Sequence, residues 1–225
     1  MSLRLVLFDL DGTLADTAVD IARAANLALA EAGRSPFSVE QVRSLVSSGA
    51  RKLLASSYDH ANEADIDRLA ARLFHHYAER PATHTRVFEG LDGLIDEFAA
   101  HRLDWGVVSN KPENLVRPII DALALSPSPV CVLGGDSLAA RKPDPLPLLH
   151  ACEIAGSSPR EALYIGDAEI DVRAARAAGM PVAIVGFGYA PAASTVREWQ
   201  PDYYAESVDA LRTLVHTLRA DAAPA

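Results

Sequence analysis

The chain has only two cysteines in 225 residues, Cys131 and Cys152, and they share no CxxC or metal-ligand spacing. That excludes a disulfide framework and suits two reduced thiols in apolar surroundings, as expected of a cytoplasmic protein. Basic residues are outnumbered, 21 Lys and Arg against 30 Asp and Glu, for a formal net charge of −9. An acidic surface disfavours nucleic acid and anionic membranes as partners, while a local basic cluster still admits a small anion. Long apolar runs are missing too. The run Leu3-Arg4-Leu5-Val6-Leu7-Phe8 stops at Asp9, far short of the roughly 20 residues that cross a bilayer. It also lacks a signal-peptide cleavage pattern.

What is present is an ordinary globular composition, 49% hydrophobic and 23% charged. That supports a sizeable core and excludes disorder. The length suits one large domain, or a main domain carrying a smaller one.

Short apolar runs alternate with helix-length segments. Leu5 to Asp9 reads as a first strand buried on both faces, and strands follow at 105–109, 130–133, 162–165 and 181–185. Between them the pattern predicts helices at Leu91–His101, Glu113–Leu123, Pro145–Ala155 and Glu169–Ala178, the last closed by Gly179. Such alternation indicates βαβ units and an α/β fold with a parallel, doubly wound sheet.

From about Asp16 to Ala82 the alternation stops and only helical patterns remain. Thr17 with Asp20 reads as a capping box opening a helix that Gly33 closes, with Ile21, Ala25, Ala28, Leu29 and Ala32 on one face. Further helices are expected at Val39–Val46, Ala50–Ser57 and Ala64–Tyr77. The division expected is a discontinuous core, 1–15 and 83–225, with a helical cap at 16–82 over the carboxyl ends of the strands, where α/β folds bind ligands. The terminal stretch 220–225 is expected to fray.

The chemistry-bearing residues fall at strand ends. Asp9-Leu10-Asp11-Gly12-Thr13 leaves the first strand with two carboxylates that can face one ligand, and Gly12 permits the tight turn. The second strand ends in Ser109-Asn110-Lys111, offering a hydroxyl, an amide and a cation. Lys142 stands in the loop after the third, before a helix, and the fourth ends in Gly166-Asp167-Ala168-Glu169-Ile170-Asp171. Packing alone gives no reason for polar groups at four successive strand ends.

These four segments, in this order, resemble the haloacid dehalogenase superfamily over nearly the whole chain. The resemblance implies a Rossmann-like parallel sheet with an inserted helical cap of the C1 type, and phosphatase activity. It implies that Asp9 attacks phosphorus and becomes an acyl phosphate, while Asp11 serves as acid and then base. Ser109, Asn110, Lys111 and Thr13 would hold phosphate or substrate oxygens, and Lys142 would neutralise charge between nucleophile and phosphate. Mg²⁺ is the implied cofactor, on Asp9, Asp167 and the backbone carbonyl of Asp11, with Asp171 orienting Lys142 or metal-bound water. Asp11 sets the chain apart from the dehalogenases, which lack an aspartate there. Ala168 departs from the pattern, in which a polar residue often follows the last motif's aspartate.

Within the superfamily the phosphoglycolate phosphatase-like group is the nearest resemblance. The loop Ser47-Ser48-Gly49-Ala50-Arg51, Trp105, and Gly186-Phe187-Gly188-Tyr189 resemble its N-acetylmuramic acid 6-phosphate phosphatase branch. Arg51 is then expected to pair with a substrate carboxylate. The implied substrate is a small phosphorylated metabolite, with that amino-sugar phosphate ahead of 2-phosphoglycolate. A phosphomutase of the β-phosphoglucomutase type and a non-catalytic Mg²⁺- or phosphate-binding regulatory module are the other readings. The protein is expected to work as a monomer or homodimer. His75 and His76 on a cap helix are expected to face water or a neighbouring helix rather than a metal, His84 and His101 have no partners spaced for a metal site, and Trp105, Trp199, Tyr203 and Tyr204 read as packing anchors.

Overall fold

The computed structural model describes residues 3–58 and 62–220. Residues 221–225 of the stretch expected to fray lie outside the described residues. Strand β1 is Leu5–Phe8, and the ribbon strands β2 and β3 are Ala15–Asp16 and Arg86–Val87. Then come β4 Asp104–Val108, β5 Cys131–Leu133, β6 Ala162–Gly166, β7 Val182–Val185 and β8 Tyr203–Ala205. The helices are α1 Ala18–Glu31, α2 Val39–Leu45, α3 Ala50–Ala55, α4 Glu63–Glu79, α5 Leu91–Ala100, α6 Glu113–Leu123, α7 Leu146–Ile154, α8 Glu169–Ala178, α9 Ala193–Glu198 and α10 Val208–Ala220.

All four residues of β1 are fully buried. Val6 and Phe8 pack into one core with Trp105, Leu163 and residues of α1 and α5, while Leu5 and Leu7 pack into another with Leu148, Tyr164 and Val172. Because both faces are covered, each position along the strand is apolar rather than every second one. The sheet has the order β5-β4-β1-β6-β7-β8 and is parallel throughout. Successive strands run outward from β1 to one edge and then from β6 to the other. The crevice at that reversal lies between the carboxyl ends of β1 and β6, the usual place for a ligand in such a sheet.

Helices α1 to α4 lie between β2 and β3, which pair antiparallel, Ala15 with Val87 and Asp16 with Arg86. The chain therefore leaves the core and returns to it through adjacent strands. Helix α4 buries Ile66, Leu69, Ala70, Leu73 and Tyr77, a 3–4 spacing that lays one face against the alanine-rich face of α1. Asn62 caps α4, accepting from the Asp65 N–H at 2.8 Å.

The structure corrects the sequence expectations at several points. Thr17 and Asp20 form no capping box. The Thr17 hydroxyl donates instead to Asp11 Oδ1 at 2.6 Å. Asp20 Oδ2 accepts from the backbone N–H of His84 and Thr85 and from the Thr85 hydroxyl, each at 2.8 Å. Tertiary partners outcompeted the local cap because they lie at the neck where both chain crossings are buried. Ala32 is exposed as the residue after α1 rather than part of its buried face. Val130 is exposed and precedes β5, and Tyr204 is exposed rather than a packing anchor. Strand β8 and the ribbon β2–β3 were not expected, since two or three residues are too few to show alternation.

Candidate active site

The four strand-end segments converge. Asp9 follows β1 and its N–H donates to the Ile165 carbonyl of β6 at 2.8 Å. That register sets Asp9 beside Asp167, which follows β6. Asp9, Asp167 and Asp171 bring carboxylate oxygens within 4.8 Å of one another. Gly12 has a φ of +79°, and a Cβ there would collide with Asp167 and the Tyr189 ring. Gly188 is equally constrained, because its own Cβ would meet the Gly12 carbonyl. The loop after β7 is thus seated on the loop after β1.

Lys142 lies in the middle of the cluster and is buried. Its ammonium is 2.8 Å from Asp171 Oδ1, 3.0 Å from Asp9 Oδ1 and 2.6 Å from the Tyr164 hydroxyl. Burial opposes the ammonium, yet Asp171 and Asp9 outweigh it and raise the pKa above the ordinary lysine value. Tyr164 in turn donates to the Val108 carbonyl at 2.9 Å. Asp171 is fully committed to the protein: Oδ1 to Lys142, and Oδ2 to the backbone N–H of Asp167 and Ala168 at 3.2 and 3.1 Å. The last two bonds cap the start of α8. The carboxylate itself therefore spans Ala168, whatever side chain stands there.

Three carboxylates thus face one ammonium. Burial pushes the Asp9 carboxyl up to about 6, with Lys142 pulling the other way. Asp167 is pushed well above its usual range by burial, then by Asp171 and Asp9. Among the described residues Asp167 Oδ1 is buried with no hydrogen-bond partner, and Asp9 Oδ1 has the Lys142 ion pair but no hydrogen bond in good geometry. Three buried carboxylates converging on one ammonium leave negative charge only partly compensated, which is what a hard divalent cation requires. Asp9 and Asp167 would hold it, since Asp171 has no oxygen to spare.

A second lysine pairs with the second motif aspartate. Lys111 Nζ lies 2.7 Å from Asp11 Oδ1, 3.3 Å from the Tyr77 hydroxyl and 4.3 Å from the centre of the Tyr77 ring. Asp11 Oδ1 thus receives both Lys111 and the Thr17 hydroxyl. Ser109 is buried after β4, and its Oγ accepts from the Lys111 N–H at 3.3 Å. Asn110 Nδ2 donates to the Lys142 carbonyl at 2.9 Å, joining the second and third segments. Asn110 Oδ1 and the buried Thr13 Oγ1 have no hydrogen-bond partner among the described residues.

Arg51 is not brought to this cluster. It pairs with Glu63 and Asp67 on the cap and is half exposed. The cap reaches the site through other residues. Ser47 Oγ donates to Asp167 Oδ2 at 2.8 Å, and Tyr77 meets Lys111. At the neck, the Tyr189 hydroxyl accepts from the N–H groups of Thr17 and Ala18 at 2.8 Å each and donates to Asp16 Oδ1 at 2.5 Å. Arg43 of α2 holds the other Asp16 oxygen at 2.7 Å.

Sequence reasoning did not name Tyr77, Tyr164, Thr17 or Tyr189 as site residues. Tyr164 carries a positional signal, lying three residues before Asp167 in the strand that ends at the site, whereas Thr17 reads as a helix cap and Tyr189 as part of a segment resembling one branch of the family. His101, read as having no partner spaced for a metal site, stacks edge-on with His216, and the ligand atoms of Glu97, His101 and His216 lie within 4.8 Å of one another; Glu97 pairs with both His216 and Arg212. Both cysteines are buried, and burial pushes each thiol up to about 11. No helix among the described residues is long and apolar enough to cross a membrane.

The family model of haloacid dehalogenase-like hydrolases matches residues 6–185. The chain belongs to that family and is a phosphatase. It is 39% identical over 203 residues to the phosphoglycolate phosphatase of Xylella fastidiosa (strain 9a5c), covering 90% of this chain and 89% of the relative. It is 34% identical over 216 residues to the N-acetylmuramic acid 6-phosphate phosphatase of Pseudomonas putida (strain KT2440), covering 96% and 97%. Among solved structures, a protein from Haemophilus somnus 129pt, described as a predicted phosphoglycolate phosphatase, superposes with a TM-score of 0.83. It shares 26% identity over 96% of this chain and 99% of that one.

Proposed function

We propose that this chain is a Mg²⁺-dependent phosphomonoester hydrolase whose substrate carries a carboxylate beside the ester oxygen, 2-phosphoglycolate being the simplest case. The observation that carries the substrate reading is the Lys111 ammonium, 2.7 Å from Asp11. The residue that protonates the leaving oxygen must touch that oxygen. A cation held against the same residue lies within reach of an anionic group one carbon away. In N-acetylmuramic acid 6-phosphate the carboxylate sits on the far side of the sugar from the phosphate. Arg51, the cap cation expected to meet it, is occupied by Glu63 and Asp67. The 34% identity to the Pseudomonas putida enzyme keeps the amino-sugar phosphate as the second candidate.

The chain's own groups account for the two half-reactions. Asp9 attacks phosphorus, the ester P–O bond breaks, and an acyl phosphate forms on Asp9. Lys142 offsets the charge of nucleophile and phosphoryl group, and Asp171 with Tyr164 fixes where its ammonium points. Ser109, Asn110 and Thr13 supply the donors and acceptors left for phosphoryl oxygens. Asp11 gives its proton to the leaving oxygen, then takes one from the water that cleaves the acyl phosphate. Thr17 and Lys111 both hold Oδ1, so Oδ2 serves that transfer. Mg²⁺ bound by Asp9 and Asp167 supplies the positive charge that lets a carboxylate approach a phosphate dianion. The helices at 16–82 open and close over this site on the β2–β3 ribbon, breaking and remaking the Ser47–Asp167 and Tyr77–Lys111 contacts.

The test is phosphate release with Mg²⁺ from 2-phosphoglycolate, N-acetylmuramic acid 6-phosphate and β-glucose 1-phosphate. The highest kcat/KM is expected for 2-phosphoglycolate, with none of the three turned over in EDTA. A preference for the amino-sugar phosphate would replace the substrate reading. Conversion of β-glucose 1-phosphate to the 6-phosphate would make the chain a mutase.

A further inference from the structure

Tyr77 is fully buried near the end of α4, among the largest buried side chains of the protein. Phenylalanine would fill that space equally well, so the hydroxyl calls for a separate explanation. A buried tyrosine hydroxyl needs a partner, and this one meets the Lys111 ammonium at 3.3 Å. The same ammonium lies 4.3 Å from the ring centre, within cation–π range. Tyr77 therefore touches Lys111 in two ways, through the hydroxyl and through the ring. Lys111 Nζ has Asp11 on its other side, and the lysine side chain is only 8% exposed.

The two partners arrive from different parts of the chain. Asp11 follows β1, and Tyr77 belongs to a helix inserted between β2 and β3. A long lysine side chain samples many rotamers unless something fixes it. With Asp11 alone, the ammonium could follow the carboxylate in several directions. Contact with Tyr77 confines it to the side facing α4, where a substrate's leaving group must lie between core and cap.

We infer that Tyr77 is a positioning residue for substrate selection: it holds Lys111 where the ammonium meets a carboxylate one carbon from the ester oxygen. The inference rests on the substrate reading above and adds to it the cap residue that makes the lysine selective. Lys111 binds the carboxylate, and Tyr77 acts only through Lys111.

Two substrates of nearly equal size separate the possibilities. 2-Phosphoglycolate has the carboxylate, and 2-hydroxyethyl phosphate has a neutral hydroxyl group in its place. The measured quantity is the ratio of their kcat/KM values with Mg²⁺, in the full-length chain. Tyr77→Phe keeps the ring and the packing but removes the hydroxyl. The ratio is expected to fall about fivefold to tenfold, through KM for 2-phosphoglycolate rather than kcat. Tyr77→Leu, which also removes the ring face, lowers it further. In a Lys111→Met background the Tyr77→Phe change no longer moves the ratio, since nothing is left to position.

A wild-type preference for 2-phosphoglycolate that survives Tyr77→Phe would overturn the role of Tyr77 and leave the substrate reading intact. So would an equal loss on both substrates, or a Tyr77→Phe effect that persists without Lys111. A wild-type enzyme indifferent to the carboxylate would overturn the substrate reading itself, and this inference with it.

Discussion

The site holds two lysine–aspartate–tyrosine groups, one built within the core and one shared between core and cap. Lys142 is gripped by Asp9, Asp171 and Tyr164, which come from the end of β1, from α8 and from β6 itself. Lys111 is gripped by Asp11 and by Tyr77 of α4. Every member of the first group belongs to the core. The second is complete only while the inserted helices sit against the core. On the proposed mechanism the difference separates two tasks: charge neutralisation at phosphorus, common to any phosphomonoester, and recognition of the leaving group, which distinguishes one substrate from another.

Asp9→Asn tests the core group most severely. Turnover should fall by at least about 10⁴-fold, with the unfolding transition still cooperative. A variant that kept measurable turnover would remove Asp9 as nucleophile.

Replacing each lysine compares the groups directly. Lys142→Met leaves Asp9 and Asp171 buried without their cation, at a cost of about 3–5 kcal/mol in stability. It should also lose turnover on every phosphomonoester. Lys111→Met leaves Asp11 with the Thr17 hydroxyl and a partly exposed side chain. Its stability loss should be smaller, and its kinetic loss concentrated in KM for 2-phosphoglycolate. Denaturant unfolding and steady-state kinetics on both variants read this. Equal effects from the two substitutions would erase the distinction.

The subtlest effect is on metal affinity. Burial, against the pull of Lys142, raises Asp9 to about 6 in the metal-free protein, and Asp167 is also raised by burial. Protons therefore compete with the cation, and binding releases them. Mg²⁺ affinity measured by calorimetry should weaken as pH falls through about 6. Affinity independent of pH between 5 and 7.5 would show that neither carboxylate binds a proton there before the metal arrives.

The sequence by itself determined the parallel sheet and the core of the site. Strands buried on both faces must be apolar at every position, so a polar residue where such a run ends is conspicuous. Asp9, Ser109 and Asp167 could be found in this way, and Lys142 by its place in the loop after the third strand. Tyr164 lay one step further back, masked as one more bulky residue in a buried strand. The cap offered no such contrast. Its helices bury one face and expose the other, and a tyrosine on the buried face reads as packing until its hydroxyl is seen against Lys111. The same holds for Thr17, legible as a helix cap but used on Asp11, and for Arg51, legible as a substrate ligand but found between two carboxylates. Local pattern states which groups are present and where an element ends. Which partner a polar side chain takes depends on what folding brings alongside it, 34 residues away for Tyr77 and Lys111 and 172 for Thr17 and Tyr189, and only the tertiary structure decided that.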